Sequence, residues 1–86
     1  MKQQNKEPEY SNQANKYLNS LDRKKRERLK NGIEKIPEGD IKHYKSEPGC
    51  FRLRVGNYRV LYKWINDVQI LILLIENRGK AYRKGV

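Results

Sequence analysis

From Phe51 to Trp64 the chain alternates apolar residues with charged ones, broken by Gly56-Asn57 and by a single apolar exception, Leu61. Such a period of two describes β-strands with one face covered, because successive side chains leave a strand on opposite sides. Glycine as the first residue of Gly56-Asn57 marks a two-residue hairpin loop of the II′ kind. Pairing follows by counting outward, so that Val55 faces Tyr58, Arg54 faces Arg59, Leu53 faces Val60 and Arg52 faces Leu61. One face then collects Phe51, Leu53, Val55, Tyr58, Val60, Tyr62 and Trp64, a core surface. The other shows Arg52, Arg54, Arg59 and Lys63, four cations without an acid among them.

Upstream the period changes to that of a helix. Ser11 is placed to cap a first helix, in which Ala14, Tyr17, Leu18 and Leu21 share a face. Asp22 is a natural cap for a second helix running to Ile36 and stopped by Pro37, with Leu29, Ile33 and Ile36 in one narrow stripe. Gly32 weakens that helix by roughly 1 kcal/mol relative to alanine. The short junction predicts an antiparallel αα-hairpin. Residues 37–49 are turn-rich, with room for a short extended piece. After a weaker turn at Asn66-Asp67, Val68 to Ile75 reads as a strand apolar on both faces. The expectation is an α+β domain with two N-terminal helices packed on a three- to four-stranded antiparallel sheet. Its central meander covers 50–55, 58–65 and 68–75. Residues 1–10 are polar and read as loosely anchored, and 77–86 form a basic tail. Eighty-six residues make one domain with one modest core.

Charge narrows the function. The chain carries +10, and residues 42–86 hold ten Lys or Arg against three acids, Glu47, Asp67 and Glu76, hence +7. Such a domain attracts polyanions through its long-range field. Cys50 is the only cysteine, which excludes an internal disulfide and points to a reducing, cytoplasmic setting. The longest apolar run, Val68 to Ile75, contains Gln69, spans only eight residues and cannot cross a bilayer, and MKQQNKEPEYS has no apolar signal region, so no membrane partner is expected.

Several chemistries lack their residues. The carboxylates are dispersed, His43 is the only histidine, and neither Rossmann nor P-loop glycines occur, so no metal and no cofactor are expected. Arginine and tyrosine remain. RNA carries its own nucleophile in the 2′-OH, and a protein can promote cleavage by aligning that hydroxyl and stabilising the charge that grows on phosphorus. Arg54 directly opposite Arg59 is a like-charge pair, destabilising by roughly 0.2–1 kcal/mol unless an anion lies across it. The alternative is that the arginine stems shield apolar neighbours while their heads reach water. The tail adds Arg78, Lys80, Arg83 and Lys84 around Tyr82, a pattern suited to phosphate contact with base stacking. Lys42, Lys45 and Lys63 extend the set. Arg23, Lys24 and Lys25 open the second helix, where the dipole prefers acids, and form either a solvated face or a phosphate-contacting one.

The segments LNSLDRKKRERLKNGIEKIPEGDIKHYK, GCFRLRVGNYRVLYKW and ILILLIENRGKAYRKG resemble the RelE branch of the RelE/ParE toxin superfamily over residues 11–84. The most specific parts are the arginine-rich hairpin and the ending Asn77-Arg78-Gly79-Lys80-Ala81-Tyr82. The resemblance implies a RelE/ParE-like fold and the toxin of a type II toxin–antitoxin pair. It further implies a metal-independent endonuclease that enters the ribosomal A site, cuts mRNA by 2′-OH attack, and is silenced by a RelB-like antitoxin. Operator DNA would be contacted only through the toxin–antitoxin complex. Carried over by residue, Arg59 would hold the scissile phosphate, Arg78 would support the charge of the transition state, and Tyr82 would stack or share in proton transfer. Arg52 and Arg54 stand where the family often has a lysine or arginine, one of which can serve as base; arginine serves poorly, because its pKa stays above about 12. Family members usually begin with a strand, whereas MKQQNKEPEYS has almost no apolar alternation.

Two alternatives stand beside this reading: a ParE-like toxin that poisons DNA gyrase, and a catalytically inert relative that only binds. The strand 68–75 also calls for a cover on its second face. Ile70, Ile72 and Leu74 are expected to share a face with Arg59 and Lys63 and to receive an antitoxin segment.

Overall fold

The structure is a computed structural model and describes residues 8–77. Along the chain run β1 (Glu9–Tyr10), α1 (Asn12–Asn19), α2 (Arg23–Glu34), β2 (Asp40–His43), β3 (Cys50–Val55), β4 (Tyr58–Asn66) and β5 (Gln69–Asn77). The sheet order is β1-β5-β4-β3-β2, with β1 parallel to β5 and every other pair antiparallel. The fold is α+β as expected, but the sheet is mixed and has five strands.

Both additional strands lie at edges. β2 is the extended piece within the turn-rich segment, and it pairs in register with β3 from Asp40↔Arg54 to His43↔Phe51. β1 forms despite its polar composition because its backbone pairs with β5 and Tyr10 packs against the core. Tyr10 pairs with Ile72, and the Ser11 N–H donates to the Ile72 carbonyl at 2.9 Å. Side chains then continue what the strand began. The Ser11 hydroxyl donates to the Leu73 carbonyl at 2.8 Å, and the Gln13 amide both donates to and accepts from the Ile75 backbone at 3.1 Å. The β5 edge is thereby satisfied well beyond a two-residue strand, which closes it to further strand addition there.

The helix caps are those the sequence predicts. Ser11 accepts from the Ala14 N–H at 3.1 Å and Asp22 from the Lys25 N–H at 3.0 Å. Ala14, Leu18, Leu29, Ile33 and Ile36 bury against Leu53, Val60, Tyr62, Ile70, Ile72 and Ile75 in one continuous core. Gly32 has a reason the helix pattern alone does not reveal. A Cβ there would lie 2.7 Å from Val55 Cγ2, so its absence lets α2 settle onto β3.

The β3–β4 hairpin keeps the predicted register at every pair, including Arg54↔Arg59 and Arg52↔Leu61. Gly56 takes φ +62° while Asn57 keeps a negative φ, as a II′ loop requires. The β4–β5 register differs. The turn is Asp67-Val68 rather than Asn66-Asp67, with the Val68 N–H donating to the Asn66 side chain at 2.9 Å. Register shifts then leave Ile65 on β4 and Leu73 on β5 without direct partners. A one-residue slip exchanges the two faces of a strand. Ile70 and Ile72 consequently point under the helices with no exposed surface, and do not share a face with Arg59. Leu74 does, opposite Leu61, and Leu71 joins it opposite Lys63.

Candidate phosphate-binding face

The face of the sheet away from the helices is built from cross-strand rows. Across β2, β3, β4 and β5 the row nearest the hairpin loop reads Asp40–Arg54–Arg59–Glu76. The next reads Lys42–Arg52–Leu61–Leu74, and beyond it Lys63 stands between Cys50 and Leu71. The structure thus brings together Arg52, Arg54, Arg59, Lys42 and Lys63, five cations against two carboxylates.

The acids change the meaning of the like-charge pair. Arg59 donates from Nε to Glu76 Oε2 at 2.9 Å and from Nη2 to the same oxygen. Both side chains are about one-third exposed. At the other end Asp40 Oδ1 lies 3.9 Å from Arg52 Nη1, a charge contact too long for a hydrogen bond. Within the central pair Arg59 is thus directly balanced by Glu76, whereas Asp40, the cross-strand neighbour of Arg54, makes its charge contact with Arg52.

Arg52 and Arg54 behave differently. The Arg52 side chain is 15% exposed and stands opposite Leu61, itself nearly buried, so its stem covers apolar surface. Its Nη1 is buried and makes no hydrogen bond within the protein. A buried, unpaired donor costs on the order of 1–3 kcal/mol, and an anion oxygen reaching it would remove that cost. Arg54 is open to solvent between Asp40 and Arg59. The two residues thus differ: the Arg52 stem shields apolar surface with Nη1 withdrawn from water, whereas Arg54 keeps its charge exposed.

Other expected contributors fall elsewhere. Arg23, Lys24 and Lys25 are exposed on the first turn of α2, in the helical layer behind the sheet, and Arg23 pairs with Glu27 at 3.6 Å. They belong to a second surface. Lys45 is exposed in the turn that joins β2 to β3. His43 lies opposite Phe51, its ring 4.7 Å from the phenyl ring, on the helix-covered side of the sheet. Phe51 continues the row by stacking on Tyr62 at 5.6 Å. Burial raises the pKa of Tyr10, with a smaller push from Glu34, and that of Tyr62 to about 12. Tyr17, 6.3 Å from the Tyr58 ring, is raised by burial first, then by Tyr58 and Glu76. Arg78, Lys80, Tyr82, Arg83 and Lys84 lie outside the described residues.

Sequence reasoning overlooked three residues here. Glu76 and Asp40 looked dispersed because only the strand register places them beside arginines. Arg28 of α2 reaches the hairpin loop, its Nη2 3.2 Å from the position a Cβ on Gly56 would occupy. Its helical spacing carries no signal of that contact.

A helix pair thus covers one face of a five-stranded sheet, and arginines gather on the face opposite. Residues 9–82 match the family described as ParE toxin of type II toxin-antitoxin system, parDE. The chain belongs to that family and is a type II toxin of the RelE/ParE superfamily. Two solved structures are similar. One is the RelB-RelE antitoxin-toxin complex from Methanococcus jannaschii, at 25% identity and TM-score 0.68, covering 88% of this chain and 96% of that one. The other is the archaeal RelE-RelB complex from Pyrococcus horikoshii OT3, at 26% identity and TM-score 0.64, covering 85% and 94%. No curated protein matches by sequence.

Proposed function

We propose that this toxin is a metal-independent, ribosome-dependent endoribonuclease that cuts mRNA in the A site by attack of a 2′-OH on the adjacent phosphate. The observation that carries the reading is the central Arg54–Arg59 pair, two cations side by side on an open sheet face. Guanidinium groups fixed on strands offer preorganised donors to the phosphorane oxygens, and they need not move as charge develops. Arg59 would contact the scissile phosphate, with the exposed Arg54 beside it. Arg78 and Tyr82 take the supporting and stacking roles that the family resemblance implies. The ribosome would supply what the sheet face alone does not, alignment of the reacting atoms.

Similarity to two toxins crystallised with RelB supports a RelB-like antitoxin as partner. Its segment would cover Leu71 and Leu74, the half-buried leucines beside the arginines. The toxin would act in the cytoplasm and meet operator DNA only within that complex. Induced expression in bacteria tests the activity: growth arrest with mRNA cut within codons, relieved by Arg59→Ala or Arg78→Ala. Intact transcripts during arrest would refute it.

A second reading is favoured by the family description itself, a ParE-type toxin that poisons gyrase. It predicts inhibited supercoiling, uncut mRNA and little effect of Tyr82→Phe.

A further inference from the structure

We propose that Glu76 is the base of this reaction, accepting the proton of the attacking 2′-OH; the assignment rests on the endonuclease reading above. Transesterification of RNA needs a proton acceptor within hydrogen-bond reach of the nucleophile. The face does not supply one from its cations, because guanidinium does not deprotonate near neutrality and the ammonium groups of Lys42 and Lys63 are exposed, solvated charges. His43 is on the opposite side of the sheet, against Phe51. Tyr62 is buried in the core with its proton held to about pH 12. Among the described residues two carboxylates stand in the rows of the outer face, Asp40 and Glu76.

Geometry separates the two. Asp40 is on the edge strand, more than half exposed, and its 3.9 Å contact with Arg52 does not fix its orientation. Glu76 is fixed by two N–H groups of Arg59, and both bonds fall on Oε2, leaving Oε1 outside the pair. Arg59 uses Nε and Nη2 for this, so Nη1 stays available to a phosphate together with Arg54 across the strand. In a reactive nucleotide the 2′-oxygen lies about 3–3.5 Å from the phosphorus it attacks. A phosphate seated on Arg59 and Arg54 thus brings its 2′-OH beside the carboxylate already docked on the same guanidinium.

The step balances without a metal or redox partner. Glu76 Oε1 takes the 2′-OH proton, and the oxygen lone pair forms the new bond to phosphorus. The bond from phosphorus to the 5′-oxygen breaks, and its electron pair leaves with that oxygen, which takes a proton from water. The products are a 2′,3′-cyclic phosphate and a 5′-hydroxyl, and Glu76 returns its proton to solvent.

Cleavage of mRNA on programmed ribosomes by wild-type toxin, Glu76→Gln and Glu76→Ala tests this, beside binding of a short RNA oligonucleotide and thermal melts of each protein. The expected result is a loss of about 100-fold or more in single-turnover rate in both variants with RNA binding retained. Added formate should restore the Glu76→Ala rate at least tenfold, on the order of a small part of a general-base contribution. Formate rescue supports the base even where a variant is less stable. Three outcomes overturn it. A Glu76→Gln rate near wild type removes Glu76 from the chemistry while leaving the endonuclease reading intact. Tighter RNA binding with an undiminished rate makes Glu76 a mask over Arg59. A lowered rate without formate rescue makes the ion pair structural. Failure of the wild-type protein to cut anything refutes the endonuclease reading itself, and the base with it.

Discussion

On β4, Val60 and Tyr62 are withdrawn from water beneath the helices, while Arg59 and Lys63 on the same strand look out from the other side. The two faces share every backbone hydrogen bond of the sheet and differ only in what lies over them. The inner face is closed by α1 and α2, and its energy comes from continuous apolar contact. Among the described residues none forms a layer over the outer face. Its long side chains cover one another in part, as Arg52 does Leu61, and its charges are balanced incompletely. Apolar burial is concentrated on one side and exposed charge on the other.

The largest test of that division compares two residues of β5. Ile72→Ala removes a fully buried side chain from the core and should cost about 2–5 kcal/mol in urea unfolding. Leu74→Ala, on the outer face, should cost less, about 1–2 kcal/mol, because part of its surface already meets solvent. Equal losses would break the comparison, since they would mean the outer leucines are core.

Next in size is the contact between α2 and β3. In an open helix Gly32→Ala would stabilise by about 1 kcal/mol. Here the new methyl meets Val55 Cγ2 at 2.7 Å, so the change should instead destabilise by about 1–3 kcal/mol. Adding Val55→Ala should make Gly32→Ala less harmful than it is alone, a coupling that denaturation of the four proteins would measure.

How much of this was legible in the sequence varies by element. The β3–β4 hairpin was readable because Gly56-Asn57 dictates its loop and each pair follows by counting. The β4–β5 pairing was not, since Asn66-Asp67-Val68 permits two loops and the shifts at Ile65 and Leu73 leave no mark in an apolar run. That error placed Ile70 and Ile72 on the wrong face and hid the Arg59–Glu76 pair, so the site looked more nakedly positive than it is. β1 escaped notice because two residues, of which only Tyr10 packs against the core, are too few to show a pattern, and its extension through Ser11 and Gln13 uses side chains that also read as helix start.

Alkaline titration probes the inner face in a different way. The Tyr62 pKa is raised in the fold to about 12 by burial, so the folded state keeps a proton that the unfolded chain, near pKa 10, gives up. Its contribution is therefore complete below about pH 10 and is lost as pH rises toward 12. Urea midpoints should fall across that window, and Tyr62→Phe should flatten the fall in part, because Tyr10 and Tyr17 are raised in the same direction. An unchanged slope would put the titration elsewhere.

The smallest effect on stability belongs to the outer face, and it tells most about why the arginines are there. Arg54→Glu replaces a like-charge cross-strand pair with an opposite-charge one, Glu against Arg59, at an exposed position. Taken alone that exchange stabilises by roughly 0.2–1 kcal/mol. Asp40 stands on the other side and would then face a second acid, which pulls the gain toward the low end. The same change reverses the charge where the phosphate would sit, so RNA affinity should fall and its salt dependence weaken as ion release is lost. Arg54→Thr separates the two contributions, removing repulsion without adding an acid beside Asp40. If both variants are at least as stable as wild type yet bind RNA more weakly, the pair is kept for its anion. If both unfold more readily while binding is unchanged, Arg54 serves the fold, and the outer face is only a second, thinner version of the inner one.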